Sequence, residues 1–303
     1  MKDKERMKIM LAYDGSECAE SAIEDLKRAG LPVDAEVQVL SIVEELHPVM
    51  ASMEGVNPAF PEYALEQEKA SLALAEQGAA QIRSQFPRWK VTVKAGVGSP
   101  GTAILFLADE WRPALVIVGS HGRRAIGRLL LGSVSQKVVG EAHCSVRVAR
   151  GRIVEPAGTP VRIVVGVDGS KGAELAVQAV ASRHWPKESE ARVINAAWTM
   201  PPVASKGMAV KAVEWVAREN ERVNKMTEHA MNQLRATGLR VSSVVKEEDP
   251  RRLLCHEAES WHADCIFVGA RGMGRLERLL LGSVSGWVAA RAHCSVEVIR
   301  SYR

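Results

Sequence analysis

An internal repeat governs what this chain can fold into. The heptapeptide Leu-Leu-Leu-Gly-Ser-Val-Ser occupies residues 129–135 and again 279–285, and Ala-His-Cys-Ser-Val occupies 142–146 and again 292–296. Both pairs lie 150 residues apart, so the stretch between them has the same length in each half. An Asp-Gly-Ser element beginning at Asp14 returns at Asp168, 154 residues later, which places the length differences in the intervening connections. This period is far longer than the roughly 20–50 residues of solenoid repeats. It points to duplication of a whole domain, and 303 residues divide into two domains of ordinary size.

Each half alternates strand-like and helix-like segments. In the first, residues 8–13, 36–43, 89–97, 114–118 and 145–149 read as strands, and 16–29, 62–86, 100–111 and 133–142 as helices. Ser16 suits an N-cap, Gly30 a helix stop and Pro100 a first helical turn. The second half gives strands at 161–167, 192–197, 240–246, 264–268 and 295–299, with helices at 174–183, 211–237 and 250–261 and one from Ser283. Residues 151–160 hold two prolines and two glycines without apolar periodicity and read as a linker between domains 1–150 and 161–303. Alternating strands and helices imply right-handed crossovers and a parallel α/β sheet covered on both faces. Ligands of such sheets bind beyond the strand carboxyl ends, where strand order reverses. For Asp14 to share a site with the loop after the fourth strand, strands one and four must be neighbours. That is the flavodoxin-like order 3-2-1-4-5, once per half.

The chemistry concentrates in the loop after the fourth strand. It runs Gly-Ser-His-Gly-Arg-Arg-Ala-Ile-Gly-Arg-Leu-Leu-Leu-Gly-Ser from Gly119, and Gly-Ala-Arg-Gly-Met-Gly-Arg-Leu-Glu-Arg-Leu-Leu-Leu-Gly-Ser from Gly269. A strand, a glycine-rich loop and a helix start form a cradle for phosphate, because glycines admit close backbone approach and the helix N-terminus presents unpaired N–H groups. Ser133 is placed to cap the helix that follows. Arg128 and Arg278 occupy equivalent loop positions and suit charge-assisted phosphate contacts or a solvated loop face, whereas Arg123 and Arg275 are not equivalent. Ala12 and Gly166 stand two residues before Asp14 and Asp168, on the same pleat face, and their small size leaves room for a ligand.

Other features carry less. A net charge of +4 and 5% aromatic residues give nucleic acid little to bind, and no apolar run approaches a membrane span. The charged start lacks the apolar core of a signal peptide, and five cysteines without framework spacing fit reduced thiols, so a cytoplasmic location is expected. His143-Cys144 and His293-Cys294 lack further ligands at metal spacing and read as structural. His256 and His262 read as surface or packing groups, and no His or Asp stands at triad spacing to Ser133. The Met and Trp residues between Trp198 and Met231 read as helix packing or as a lid over the site.

The pattern Gly-x2-Gly-x9-Gly-Ser, present as Gly119, Gly122, Gly132-Ser133 and as Gly269, Gly272, Gly282-Ser283, resembles the nucleotide-binding motif of the universal stress proteins. The resemblance covers essentially the whole chain as a tandem pair and implies an adenine nucleotide alpha hydrolase-like fold in each half. It implies one ATP per half, with Mg2+. Asp14 and Asp168 would lie near ribose, phosphates and metal. The loop amides with Ser133 and Ser283 would hold phosphates, with Val134 and Val284 alongside, and backbone near Ile42 and Ala196 would read adenine. It further implies that the last strands pair as an intrachain pseudo-dimer, with a homodimer of chains left open. The halves differ between their first two loop glycines, Ser120-His121 against Ala270-Arg271, which suggests unequal affinities. The last strands begin Cys-Ser-Val where the family commonly has Cys-Pro-Val.

The loops lack the lysine of a P-loop and no water-positioning base is evident, so binding without efficient hydrolysis is expected, slow turnover being left open, and no catalytic residue is assigned. A cytoplasmic stress sensor or regulator is the first reading. A partner-interaction module with vestigial loops is the alternative. A third, an adenylating enzyme on the same fold, would need substrate-pocket residues that the sequence does not display.

Overall fold

The computed structural model describes residues 6–44, 60–122, 131–150, 156, 158–196, 206–272 and 281–301. The chain divides into two compact units. The first contains β1 (Met7–Ala12), α1 (Glu17–Asp25), β2 (Ala35–Glu44), α2 (Phe60–Gln85), β3 (Lys90–Gly98), α3 (Pro100–Trp111), β4 (Leu115–Gly119), α4 (Ser133–Glu141) and β5 (Ser145–Ala149). The second contains β6 (Arg162–Gly166), α5 (Lys171–Ala181), β7 (Glu190–Ala196), α6 (Lys206–Arg235), β8 (Arg240–Lys246), α7 (Pro250–Ser260), β9 (Cys265–Gly269), α8 (Ser283–Arg291) and β10 (Ser295–Ile299).

Within the first unit the strands lie in the order β3-β2-β1-β4-β5, and every pairing is parallel. Within the second the order is β8-β7-β6-β9-β10, again parallel throughout. Both are the 3-2-1-4-5 arrangement that the first and fourth strands were expected to need. The reversal points fall between β1 and β4 and between β6 and β9.

Burial explains the residue choices. Ile9, Met10 and Leu11 are all fully buried, because β1 is covered on both faces. Ile9 and Leu11 join Val37 and Val39 in a cluster with Ala19, Ala22 and Ile23 of α1 and Ala79 and Ile82 of α2. The outermost strands β3 and β8 alternate in exposure, and their lysines and serines face water. An ion pair between Arg147 and Asp25 (2.6 Å) joins β5 to α1 with both side chains buried.

Caps follow the sequence with one correction. Ser16 and Ser170 accept from the Ala19 and Ala173 amides, each at 3.2 Å, and so cap α1 and α5. Ser133 does not cap α4. Gly132 takes the N-cap, with φ −62° and ψ 154°, and Ser133 is the first helical residue, exposed. Gly282 does the same for α8. The reason is that the Gly132 amide is tied back to the Ser120 carbonyl (2.8 Å), which ends the loop one residue earlier than a serine cap would.

Candidate functional site

The site is built where β1 and β4 end side by side. After β1 the chain turns through Asp14 and Gly15, and Gly15 has φ +73°, a backbone conformation that favours glycine. Asp14 Oδ1 accepts the Ser16 amide at 3.0 Å, which closes the turn and aims the carboxylate at the neighbouring loop. A Cβ placed on Gly122 would stand 2.9 Å from Asp14 Oδ2, closer than side-chain atoms normally come. Asp14 and Gly122, 108 residues apart in the chain, are therefore in direct contact.

The two ends of the glycine loop also meet. The Gly132 amide reaches the Ser120 carbonyl, and a Cβ on Gly132 would lie 3.4 Å from His121 Cα and 3.7 Å from the Gly122 nitrogen. Ser135 Oγ donates to the Gly119 carbonyl at 2.6 Å and fastens the first turn of α4 to the end of β4. The first-turn amides of α4, at Ser133 and Val134, have no side-chain cap.

The second unit repeats the construction. Asp168 Oδ1 accepts the Ser170 amide at 2.9 Å, and a Cβ on Gly272 would stand 2.6 Å from Asp168 Oδ2. The Gly282 amide donates to the Ala270 carbonyl at 2.6 Å, and Ser285 Oγ donates to the same carbonyl at 3.0 Å.

Some of these glycines also meet a packing demand. A Cβ on Gly269 would fall 2.3 Å from the Gly172 carbonyl carbon, and one on Gly119 would fall 3.1 Å from the Cys18 backbone. Both let the first turn of α1 or α5 press against the strand. A Cβ on Gly166 would lie 3.2 Å from side-chain carbons of Leu254 and Val268, so this glycine admits the close packing of α7 and β9. Ala12 is half-buried at the end of β1.

Ile42 lies near the end of β2 opposite Gly96, and Ala196 ends β7 opposite Lys246, so both are at the carboxyl edge of their sheets. Ser71 Oγ of α2 binds the Ser41 carbonyl at 2.7 Å and steadies that end of β2. Arg128 and Arg278 lie outside the described residues. Ser71, Ser135 and Ser285 were not singled out from the sequence. Ser135 and Ser285 had a signal, since both stand in the repeated heptapeptide.

The electrostatics differ between the halves. His121 Nδ1 lies 3.2 Å from Ser120 Oγ, and burial, reinforced by the Arg150 charge, lowers the imidazole below its usual range. The equivalent residue Arg271 accepts the Ser170 hydroxyl at its carbonyl, at 3.2 Å. Arg222 of α6 is raised, first by its hydrogen bond to Glu219 and lastly by the nearby Asp168 carboxylate, so this carboxylate has a cation beside it. Among the described residues no group of three metal-ligating side chains occurs.

Two units, each a parallel sheet with an acidic turn set against a glycine loop at its reversal point, define a tandem α/β protein. The model of the universal stress protein family matches residues 5–150 and again 161–300, and the chain belongs to that family. The universal stress protein Rv1996 of Mycobacterium tuberculosis is 30% identical over 314 residues, covering 96% of this chain and 94% of the relative. Universal stress protein Rv2005c of the same organism is 35% identical over 217 residues, covering 70% of each. The crystal structure of a universal stress protein from Archaeoglobus fulgidus superposes with a TM-score of 0.63 at 20% identity, covering 97% of this chain and 96% of that one.

Proposed function

We propose that each half of this chain binds one adenine nucleotide, and that the protein acts in a stress response as a cytoplasmic sensor or regulator rather than as an enzyme. The observation that carries the reading is the contact of Gly122 with Asp14, repeated at Gly272 and Asp168. A side chain at either glycine would fill the place where a backbone cradle meets a carboxylate.

In this reading the Gly122, Ser133 and Val134 amides, and those of Gly272, Ser283 and Val284, hold phosphates at the N-termini of α4 and α8. Gly132 and Gly282 close the cradle. Gly119 and Gly269 seat α1 and α5 against it. Backbone at Ile42 and Ala196 reads the adenine, and Arg128 and Arg278 add charge-assisted donors. Asp14 and Asp168 orient the ribose and any metal. One carboxylate per site fits a Mg2+ that arrives with the phosphates and is held mainly by them, and the ion would offset phosphate charge there.

The test is to denature the purified protein, separate the supernatant by chromatography and count adenine nucleotide against chain. One nucleotide per half supports two working sites. One per chain assigns binding to a single loop. None, with no binding on addition of ATP to the native protein, refutes the reading and favours a partner-interaction module.

A further inference from the structure

The second unit contains a cavity of about 540 Å3 between α5 and α6, beside the Asp168-Gly169 turn, with Gly169 in its lining. Its volume is within the roughly 300–1,000 Å3 of small-molecule sites. Val167, Ala173, Val177, Met226 and Ala230 supply the apolar lining. Arg222, Lys225 and His229 bring basic groups to it, against one acid, Glu174. Arg222 also pairs with Glu219 (2.6 Å) and Lys225 with Glu221 (2.6 Å), both on their own helix, and His229 hydrogen-bonds Gln233.

The first unit tells what belongs in this space. Tyr13, immediately before Asp14, turns its ring into the equivalent gap between α1 and α2 and is only 2% exposed. Its hydroxyl bonds the Glu20 carboxylate, and Gln77 Nε2 of α2 donates to it at 3.0 Å. The ring lies flat on Gly78, where a Cβ would stand 2.9 Å from the ring carbon Cγ. The residue before Asp168 is Val167, so the second unit has no ring there. Glu20 is matched by Glu174, 154 residues on, the offset of the Asp-Gly-Ser elements. The burial pattern of α2 recurs in α6 at an offset of 152, buried positions 71, 75, 78, 79 and 82 answering to 223, 227, 230, 231 and 234. By that register Gly78 corresponds to Ala230 and Gln77 to His229.

The second unit therefore keeps the carboxylate and a polar partner of a tyrosine site, carries Ala230 where the first unit has Gly78, and lacks the tyrosine. We infer that this cavity binds a small phenol, whose ring lies in the gap that Tyr13 fills in the first unit, set off from the Ala230 methyl, and whose hydroxyl donates to Glu174. A carboxylate on the far end of the ligand meets Arg222 and Lys225, so hydroxyphenyl carboxylates are the favoured class. The cavity adjoins the Asp168 turn through Gly169 and Arg222, and its test needs no nucleotide.

The probe is 4-hydroxyphenylacetate, titrated into the full-length protein by calorimetry, with phenylacetate as the control that lacks the hydroxyl. Saturable binding at about millimolar concentration or tighter is expected for a ligand of this size. Phenylacetate should bind about tenfold more weakly, because it lacks the hydroxyl that donates to Glu174. Glu174→Gln should weaken 4-hydroxyphenylacetate and abolish most of that discrimination. The double variant V167Y/A230G rebuilds the arrangement of the first unit, and it should remain folded by circular dichroism and lose the binding. No saturable binding up to about 10 mM, equal affinity for the two probes, or undiminished binding in a folded V167Y/A230G protein would each overturn the inference.

Discussion

Replacing Gly122 by alanine probes the centre of the site without any gross change. The glycine does not occupy the left-handed region, so alanine is permitted by the backbone, and what matters is the space around its Cβ. That atom would stand 2.9 Å from Asp14 Oδ2, whereas ordinary contacts begin near 3.4 Å. The carboxylate must then retreat by about 0.5 Å, and its 3.0 Å bond to the Ser16 amide stretches to the limit of a hydrogen bond. Losing that bond costs about 1 kcal/mol. In Asp14→Ala the obstacle is absent, so Gly122→Ala should then be nearly neutral. A double-mutant cycle followed by urea unfolding should therefore give a coupling of about 1 kcal/mol between the two positions. The Gly272→Ala and Asp168→Ala cycle should show a larger coupling, since the approach there is 2.6 Å. If the two substitutions add to within about 0.3–0.5 kcal/mol in both halves, the contact on which the site is built does not exist.

Four further outcomes are expected. Gly122→Glu and Gly272→Glu should each remove nucleotide from one half, read as loss of half the nucleotide released on denaturation; unchanged ATP affinity in both would sink the phosphate assignment. Gly269→Ala should destabilise by about 1–3 kcal/mol in thermal unfolding, because its Cβ meets the Gly172 backbone at 2.3 Å and backbone cannot swing aside. Gly140→Ala, in the same measurement, should stabilise by about 0.5–1 kcal/mol, since it lies in α4 with nothing within 4 Å of its Cβ. His121 is held below the ordinary histidine value of about 6.5, so the unfolded chain binds more protons near that pH. Stability should thus be intact above about pH 6.5 and fall as the pH drops below it, by urea titration, and His121→Gln should flatten that dependence.

The sequence alone determined the duplication, the strand and helix alternation, and the placement of the glycine loops at strand ends. These follow from local causes. Fully buried strands such as 115–118 need continuous apolar residues, edge strands such as β3 alternate, and Ser16, Gly30 and Pro100 obey backbone rules that act within a few residues. The repeat supplied what a single glycine loop does not, because two copies at fixed spacing share a constraint. Only the tertiary structure decided which glycine does what. Gly119, Gly122 and Gly132 look alike in the motif, yet one seats a helix, one touches a carboxylate and one ends a loop, because a missing Cβ acquires meaning from its neighbours in space. The same holds for Tyr13 and Val167. As letters they are a routine difference before an aspartate, and only the packing of α2 and α6 reveals that one fills a gap between helices while the other leaves it open. Local propensity is written along the chain, but complementarity between segments a hundred residues apart exists only once the fold has brought them together.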